Sequence, residues 1–357
     1  MTSLPLGQLF VFGFDGHSLS LDAKDLLKKE KLSGAILFSR NVHSLEQVVD
    51  LNCQILDASP KNYPALISVD QEGGRVARLK DICTPVPSMR RLGDLAKNIP
   101  DLPYRTGAMM AREMVSMGFH LDFAPVVDVD TNPQNPIIGD RSFSSDPQQV
   151  AALSAAFIKG MQAGGLAACA KHFPGHGDTH VDSHLDLPVL EHDLKRVNAI
   201  ELLPFQSSIE AGVASIMTAH ILFKSLDSKH PATLSPFILK GLLRQQLGFE
   251  GVIFSDDLEM KAVADRYSIK ELVKLGLLAG VDLFLICKDM GKIHEAIRAV
   301  HQLVDSGEVP MSYVEEALKR VENLKNRFIG AVALPSLNNA KQMVGCSPHV
   351  LLAKNWA

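Results

Sequence analysis

Apolar residues along this chain gather into short continuous runs. Each run is followed by a stretch in which apolar positions recur every three to four residues. Short apolar runs bounded by turn residues predict buried strands, and the longer periodic stretches predict amphipathic helices. The runs fall at residues 9–14, 35–38, 65–69, 121–126, 167–170, 215–218, 252–254 and 282–286. Helical periodicity covers residues 45–56, 105–117, 148–163, 199–211, 236–247 and 269–278, among others. Strands without polar alternation, each followed by a helix, belong to a parallel sheet covered on its outer face. Eight such units predict a closed α/β barrel of the (β/α)8 TIM type in a single domain. A doubly wound open sheet is the competing architecture. It wants a G-x-G-x-x-G turn after the first strand, where this chain has Gly13-Phe14-Asp15-Gly16.

Two connections are longer than simple turns. One runs from Gln71 to about Pro103, the other from His172 to about Pro188. Both leave the C-terminal end of a strand, the face on which barrels carry their sites. Residues 1–335 are read as the catalytic barrel and 336–357 as a C-terminal tail with a short helix near His349.

Composition narrows the class without naming a chemistry. The 357 residues are 46% hydrophobic with a formal net charge of -4, so no basic surface points to nucleic acid. Cys53, Cys83, Cys169, Cys287 and Cys346 are scattered and odd in number, which fits a reducing compartment better than a disulfide framework. The N-terminal apolar run is short, broken by Gly13, Asp15 and Gly16, and reads as a first strand rather than a signal peptide. No run reaches the roughly 18 residues of a membrane span. The expectation is a cytoplasmic protein with a small-molecule partner, no membrane partner, and an oligomeric state left open, a monomer included.

The richest chemistry lies in the string from Lys171 to His184, KHFPGHGDTHVDSH, which holds four of the thirteen histidines. Pro174, Gly175 and Gly177 rule out a helix, so the string is read as a hinged loop leaving strand five. Three readings stand side by side. The His and Asp residues are metal-ligand types. Asp182 is placed to orient His184 for proton transfer. The third reading is a plain solvated loop. A second string, Ser255-Asp256-Asp257-Leu258, puts Asp256 at the end of a strand, aimed into the barrel mouth. A carboxylate there can attack an electrophilic carbon or ligate a metal, although any of Ser255, Asp256 and Asp257 could instead cap a helix. In a third, VDQEGGRVAR, Asp70 ends strand three and the glycine pair can turn Arg78 back over the mouth. A fourth, GDRSF, offers Arg141 as a further candidate clamp for hydroxyl groups, a weak signal in isolation. His220 ends strand six, where lining a pocket and being a satisfied core-edge histidine are equally open.

Together with GAILFSRN at residues 34–41, these strings resemble glycoside hydrolase family 3, and within it the single-domain β-N-acetylglucosaminidases of the NagZ type. The similarity spans roughly residues 5–330. The resemblance implies a retaining exo-glycosidase acting on terminal N-acetylglucosamine of peptidoglycan fragments in cell-wall recycling. By it, Asp256 is the nucleophile, His184 the acid/base and Asp182 its dyad partner. Asp70, Arg78, Arg141, Lys171 and His172 match the positions that hold the terminal sugar, and no metal or cofactor is implied. Most retaining glycosidases use two carboxylates, so a histidine acid/base departs from the general plan. The chain also stops where two-domain relatives continue, which favours the single-domain branch. Two readings from other classes remain: a metal-dependent barrel hydrolase using the 172–184 cluster, and a catalytically inert sugar-binding barrel. The first wants an H-x-H pair after strand one, where this chain has Asp15-Gly16-His17.

Overall fold

The computed structural model describes residues 4–180, 186–329 and 334–356. Eight parallel strands close into one barrel: β1 (Phe10–Phe12), β2 (Gly34–Leu37), β3 (Leu66–Val69), β4 (Leu121–Asp122), β5 (Ala167–Phe173), β6 (Ser215–Thr218), β7 (Val252–Asp257) and β8 (Leu283–Ile286). Each strand pairs with its sequence neighbours, and β1 closes on β8 through Phe10 opposite Phe284. The (β/α)8 expectation is met, and the open-sheet alternative fails because none of the eight barrel strands is left at an edge.

A helix follows each strand: α1 (Leu21–Asp25, continuing through the wider π-type turns of Leu26–Glu30), α2 (Leu45–Ala58), α3 (Leu102–Ser116), α4 (Pro147–Ala163), α5 (Leu202–Glu210), α6 (Phe237–Gln246), α7 (Ile269–Ala279) and α8 (Met290–Asp305). Their starts carry the expected signals. Ser44 accepts a hydrogen bond from the Gln47 N–H, and Ser268 and Glu271 form a reciprocal capping box. The single helix expected over 199–211 is two, Leu194–Ala199 and α5, because the chain leaves helical geometry at Ile200.

Inside the barrel, Val11, Ile36, Leu66, Leu121, Phe123 and Phe254 form a dry core, with the Phe123 and Phe254 rings edge to face at 5.2 Å. A further helix, α9 (Met311–Phe328), contributes Val321 and Leu324 to that same cluster at the N-terminal ends of the strands. The mouth is therefore at the opposite, C-terminal end. Beyond α9, the helices α10 (Leu337–Met343) and α11 (Ser347–Ala353) lie against α2 and α3. Buried Glu113 of α3 ties this tail down, accepting from the Gly345 N–H at 3.0 Å and pairing with His349 Nδ1 at 2.8 Å.

Several strand boundaries differ from expectation: β1 stops at Phe12 and not at 14, β7 runs on to Asp257 and not to 254, and β4 and β5 differ at their C-terminal ends. The ladder of β4 ends at Asp122 rather than 126, because Pro125 has no N–H to donate and only Val126 bridges onward, to Lys171. Conversely, β5 runs on to Phe173, whose carbonyl accepts from the Ala219 N–H at 2.7 Å. Lys171 and His172 are thus strand residues, not loop residues.

Candidate active site

The mouth is assembled where β3, β4, β5 and β7 end, and two of these strands are irregular at the residues of interest. In β5 the register against β6 shifts between Ala170 and Phe173, so Lys171 and His172 sit in the irregularity. In β7 it shifts between Phe254 and Asp257, around Asp256. Such bulges re-aim side chains that a regular ladder would alternate in and out.

After β3 the chain folds into a short antiparallel hairpin, Gln71–Gly73 with Val76–Ala77. Its turn needs Gly73 at φ +100° and Gly74 at φ +54°, which glycine adopts without steric penalty. The Gln71 N–H donates to Asp122 Oδ1 at 2.8 Å, and Gln71 Oε1 accepts from the Leu79 N–H at 2.9 Å. Arg75 pins the hairpin outside, pairing with Asp140 at 3.1 Å. This geometry returns Arg78 to the mouth, 3.8 Å from Asp70.

Lys171 is the hub. Its Nζ lies 2.8 Å from Asp70 Oδ1 and 2.7 Å from Glu72 Oε1, although the residue is only 3% exposed. Glu72 in turn receives both Nε and Nη2 of Arg141 at 2.8 Å, the bidentate fork. Burial alone would raise the Glu72 carboxyl, but the Arg141 and Lys171 charges outweigh it and hold the group well below the usual range. Burial would likewise depress Lys171, and Asp70 with Glu72 reverses that, keeping it charged. Beneath them Asp122, wholly buried, has its pKa pushed well above the usual range by burial, with neighbouring carboxylates adding to the rise. Its Oδ2 has no hydrogen-bond partner among the described residues.

His172 is oriented by buried Asp128, whose Oδ2 lies 2.7 Å from its Nδ1. The same carboxylate accepts the backbone N–H of His172 at 3.2 Å and of His176 at 2.7 Å. Burial would raise Asp128, and the two histidines pull it below its ordinary value. His176, driven down to about 4 by burial and by His172, is neutral at physiological pH and rests on Thr179 Oγ1 at 2.8 Å. Gly177 lets this segment touch β4's continuation: a Cβ there would collide with the Val129 carbonyl.

Asp256 reaches the mouth from β7, its Oδ1 accepting the Asp257 N–H at 2.8 Å. None of the three helix-cap candidates caps the short helix that follows, Lys261–Ala264, whose N-cap is Met260 with no side-chain bond. Ser255 Oγ instead accepts from Leu285 N–H on β8, and Asp257 Oδ1 from the N–H groups of Glu259 and Cys287. Burial lifts Asp257 to about 7.

Asp70, Arg78, Arg141, Lys171, His172 and Asp256 all line one cleft of ≈ 810 Å³ open to solvent, with Phe38, Val76 and Met217 as apolar wall. All six were expected from the sequence. Fixed charges converging on an apolar wall suit a ligand rich in hydroxyls. Asp182 and His184 lie outside the described residues. His220 does not line the cleft; it is buried against Thr233 Oγ1 at 2.8 Å and the Asp257 carbonyl at 3.1 Å, the core-edge alternative.

The family model described as glycosyl hydrolase family 3 N terminal domain matches residues 2–324. This chain belongs to glycosyl hydrolase family 3. Among the relatives of this family 3 barrel, a β-hexosaminidase of Stenotrophomonas maltophilia (strain K279a) is 39% identical over 296 residues, 82% of this chain and 87% of the relative. A β-hexosaminidase of Thiobacillus denitrificans is 42% identical over 276 residues, 76% of each chain. Of solved structures, NagZ from Neisseria gonorrhoeae in complex with N-trifluoroacetyl-D-glucosamine superposes with a TM-score of 0.84 at 30% identity, covering 98% of both chains. A glycoside hydrolase family 3 β-N-acetylglucosaminidase from Paenibacillus sp. str. FPU-7 gives a TM-score of 0.92 at 35% identity, covering 100% of this chain and 68% of that one.

Sequence reasoning missed Glu72, Asp122 and Asp128 as parts of this family 3 site. Two of them left a signal. Asp122 and Asp128 interrupt the apolar stretch 121–129, and a carboxyl in such a run must find a partner or stay neutral. Glu72 differs from Asp70 only in being two residues on, and nothing in the string marked it as the one that Arg141 would seek.

Proposed function

We propose that this family 3 glycoside hydrolase is a retaining exo-β-N-acetylglucosaminidase. Its substrates are peptidoglycan fragments carrying terminal N-acetylglucosamine on anhydro-N-acetylmuramic acid, with or without peptide, and its setting is cytoplasmic cell-wall recycling. Asp256 attacks the anomeric carbon and forms a covalent glycosyl-enzyme. His184, oriented by Asp182, protonates the leaving oxygen and then deprotonates water. Two displacements return the original anomeric configuration. Asp70, Arg78, Arg141, Lys171 and His172 hold the terminal sugar. The carrying observation is that these five side chains converge on Asp256 in one cleft, in a chain resembling β-hexosaminidases along most of its length. Among the described residues no helix is long and apolar enough to cross a membrane.

The deciding experiment is hydrolysis of an aryl β-N-acetylglucosaminide in excess chelator, beside the matching β-glucoside, with the product anomer followed by NMR. The expected result is chelator-insensitive release of the β-anomer from the first substrate alone. Asp256→Ala should cost ~10⁴-fold or more in kcat. Activity lost to chelator and regained with metal would instead favour the metal-dependent hydrolase. His184→Ala should harm poor leaving groups far more than activated aryl ones, and equal losses on both would give His184 a structural role.

A further inference from the structure

At the floor of the barrel, opposite the mouth, a second buried lysine sits in an unlike setting. Lys325 projects from α9 and is 5% exposed. Its Nζ donates one hydrogen bond, to Gln8 Oε1 at 2.7 Å. The Gln8 amide is held in that orientation because its Nε2 already donates to the carbonyls of Lys31 and Leu32. No carboxylate among the described residues makes an ion pair with Lys325. An ammonium carries three donors and a full charge, whereas a neutral amine carries two donors, no charge and a lone pair. With one acceptor and no paired carboxylate, the site leaves less unsatisfied in the amine than in the ammonium.

Lys325 also lines a cavity of ≈ 800 Å³ that opens to solvent on this face, with Leu4, Pro5, Tyr63 and Pro64 as apolar wall. A buried amine with a lone pair beside a solvent-connected cavity that has an apolar wall and a charged rim is an arrangement that can make lysine a nucleophile. We infer that Lys325 is a reactive amine and a covalent modification site for small apolar aldehydes, separate from the glycosidase cleft. The Nζ lone pair adds to the carbonyl carbon to give a carbinolamine. The carbinolamine then forms the C=N bond as the carbonyl oxygen leaves as water, taking the two amine protons.

The charged and titratable surroundings agree. From its own helix, Glu315, Lys319 and Glu322 line the same cavity without pairing with Lys325. From the entry to β3, Tyr63 holds the Lys31 ammonium over its ring at 5.4 Å. From the entry to β4, buried His120 accepts the Ile67 N–H on Nδ1, and burial together with the Lys325 charge pushes it down to about 4, so it adds no proton at neutral pH. Burial lowers Lys325 itself to about 7.

The test is reductive alkylation of the full-length protein with propanal and cyanoborohydride, which reduces and traps the imine. Site occupancy is read by peptide mass spectrometry from pH 6 to 10. At pH 7 an amine of pKa about 7 is roughly half neutral, against roughly one in 2,500 for an ordinary exposed lysine. Allowing for the weaker nucleophile, Lys325 should label at least ~10-fold faster than exposed Lys28, with a midpoint near pH 7. Lys325→Met should delete that fast site and leave aryl-glycoside hydrolysis unchanged, which also reports that the fold is intact. Labelling of Lys325 no faster than Lys28, or rising only above about pH 10, overturns the inference.

Discussion

The barrel buries a lysine at each end, and the two are held by opposite means. At the mouth, Lys171 meets two carboxylates, Asp70 and Glu72, at 2.8 and 2.7 Å and stays charged. At the floor, Lys325 meets one amide oxygen at 2.7 Å and sheds its proton near neutral pH. Burial is nearly equal, 3% against 5% exposed, so it is the partner set that decides the charge state. The mouth is a network of opposite charges within hydrogen-bond reach, suited to gripping a polar ligand in one geometry. The floor holds a buried amino group on a single amide acceptor with no opposite charge paired to it among the described residues, a standing cost to stability of the kind tolerated at reactive sites.

The comparison breaks most visibly at Glu72. Glu72→Gln removes the carboxylate shared by Lys171 and Arg141 and leaves two buried cations with Asp70 alone nearby. Unfolding by denaturant should show a loss of about 3–5 kcal/mol, together with a higher KM. A loss below about 1 kcal/mol would mean that water, not Glu72, neutralises the pair.

Lys325 should behave in the opposite sense. Lys325→Met is expected to stabilise the protein by about 1–4 kcal/mol at pH 7, because it removes a polar group and keeps the volume. The sign follows from linkage. The folded-state pKa of Lys325 lies below its unfolded value, so its contribution is fully favourable above the unfolded pKa and is lost as pH falls toward about 7. The wild-type deficit relative to Lys325→Met should therefore shrink between pH 7 and about 10.5. A deficit independent of pH would show that Lys325 keeps its proton in the folded state.

The smallest effect is expected at Asp122, and it sharpens the picture of the mouth. Burial beneath Asp70 and Glu72 raises its pKa well above the usual range and so favours the neutral carboxyl. Asp122→Asn keeps the acceptor for the Gln71 N–H and the neutral charge, so stability at pH 7 should change by less than about 1 kcal/mol. A large loss would mean that Asp122 is ionised and belongs to the ion network.

Most of the barrel was legible because each strand is buried on both faces and each helix on one. That burial writes continuous runs and three-to-four periodicity directly into the sequence. Two of the boundaries that shifted did so where a single residue overruled the pattern, as Pro125 ends the β4 ladder and Phe173 prolongs β5. The cleft residues were legible from their strings: Asp70, Arg78, Arg141, Lys171, His172 and Asp256 all line it, although Lys171 and His172 do so from β5 itself and not from the loop expected there.

The sequence by itself determined the architecture and six of the polar groups that line the mouth, since hydrophobic period and motif spacing are local properties of the chain. Only the tertiary structure decided which charge answers which. Glu72 takes Arg141 from 69 positions away, Asp128 orients His172 from 44, and Lys325 finds Gln8 across 317. No local rule encodes such pairings. Ionisation in a buried site depends on the partners that closure of the barrel brings within hydrogen-bond reach, and these are fixed only when the ends of the chain meet.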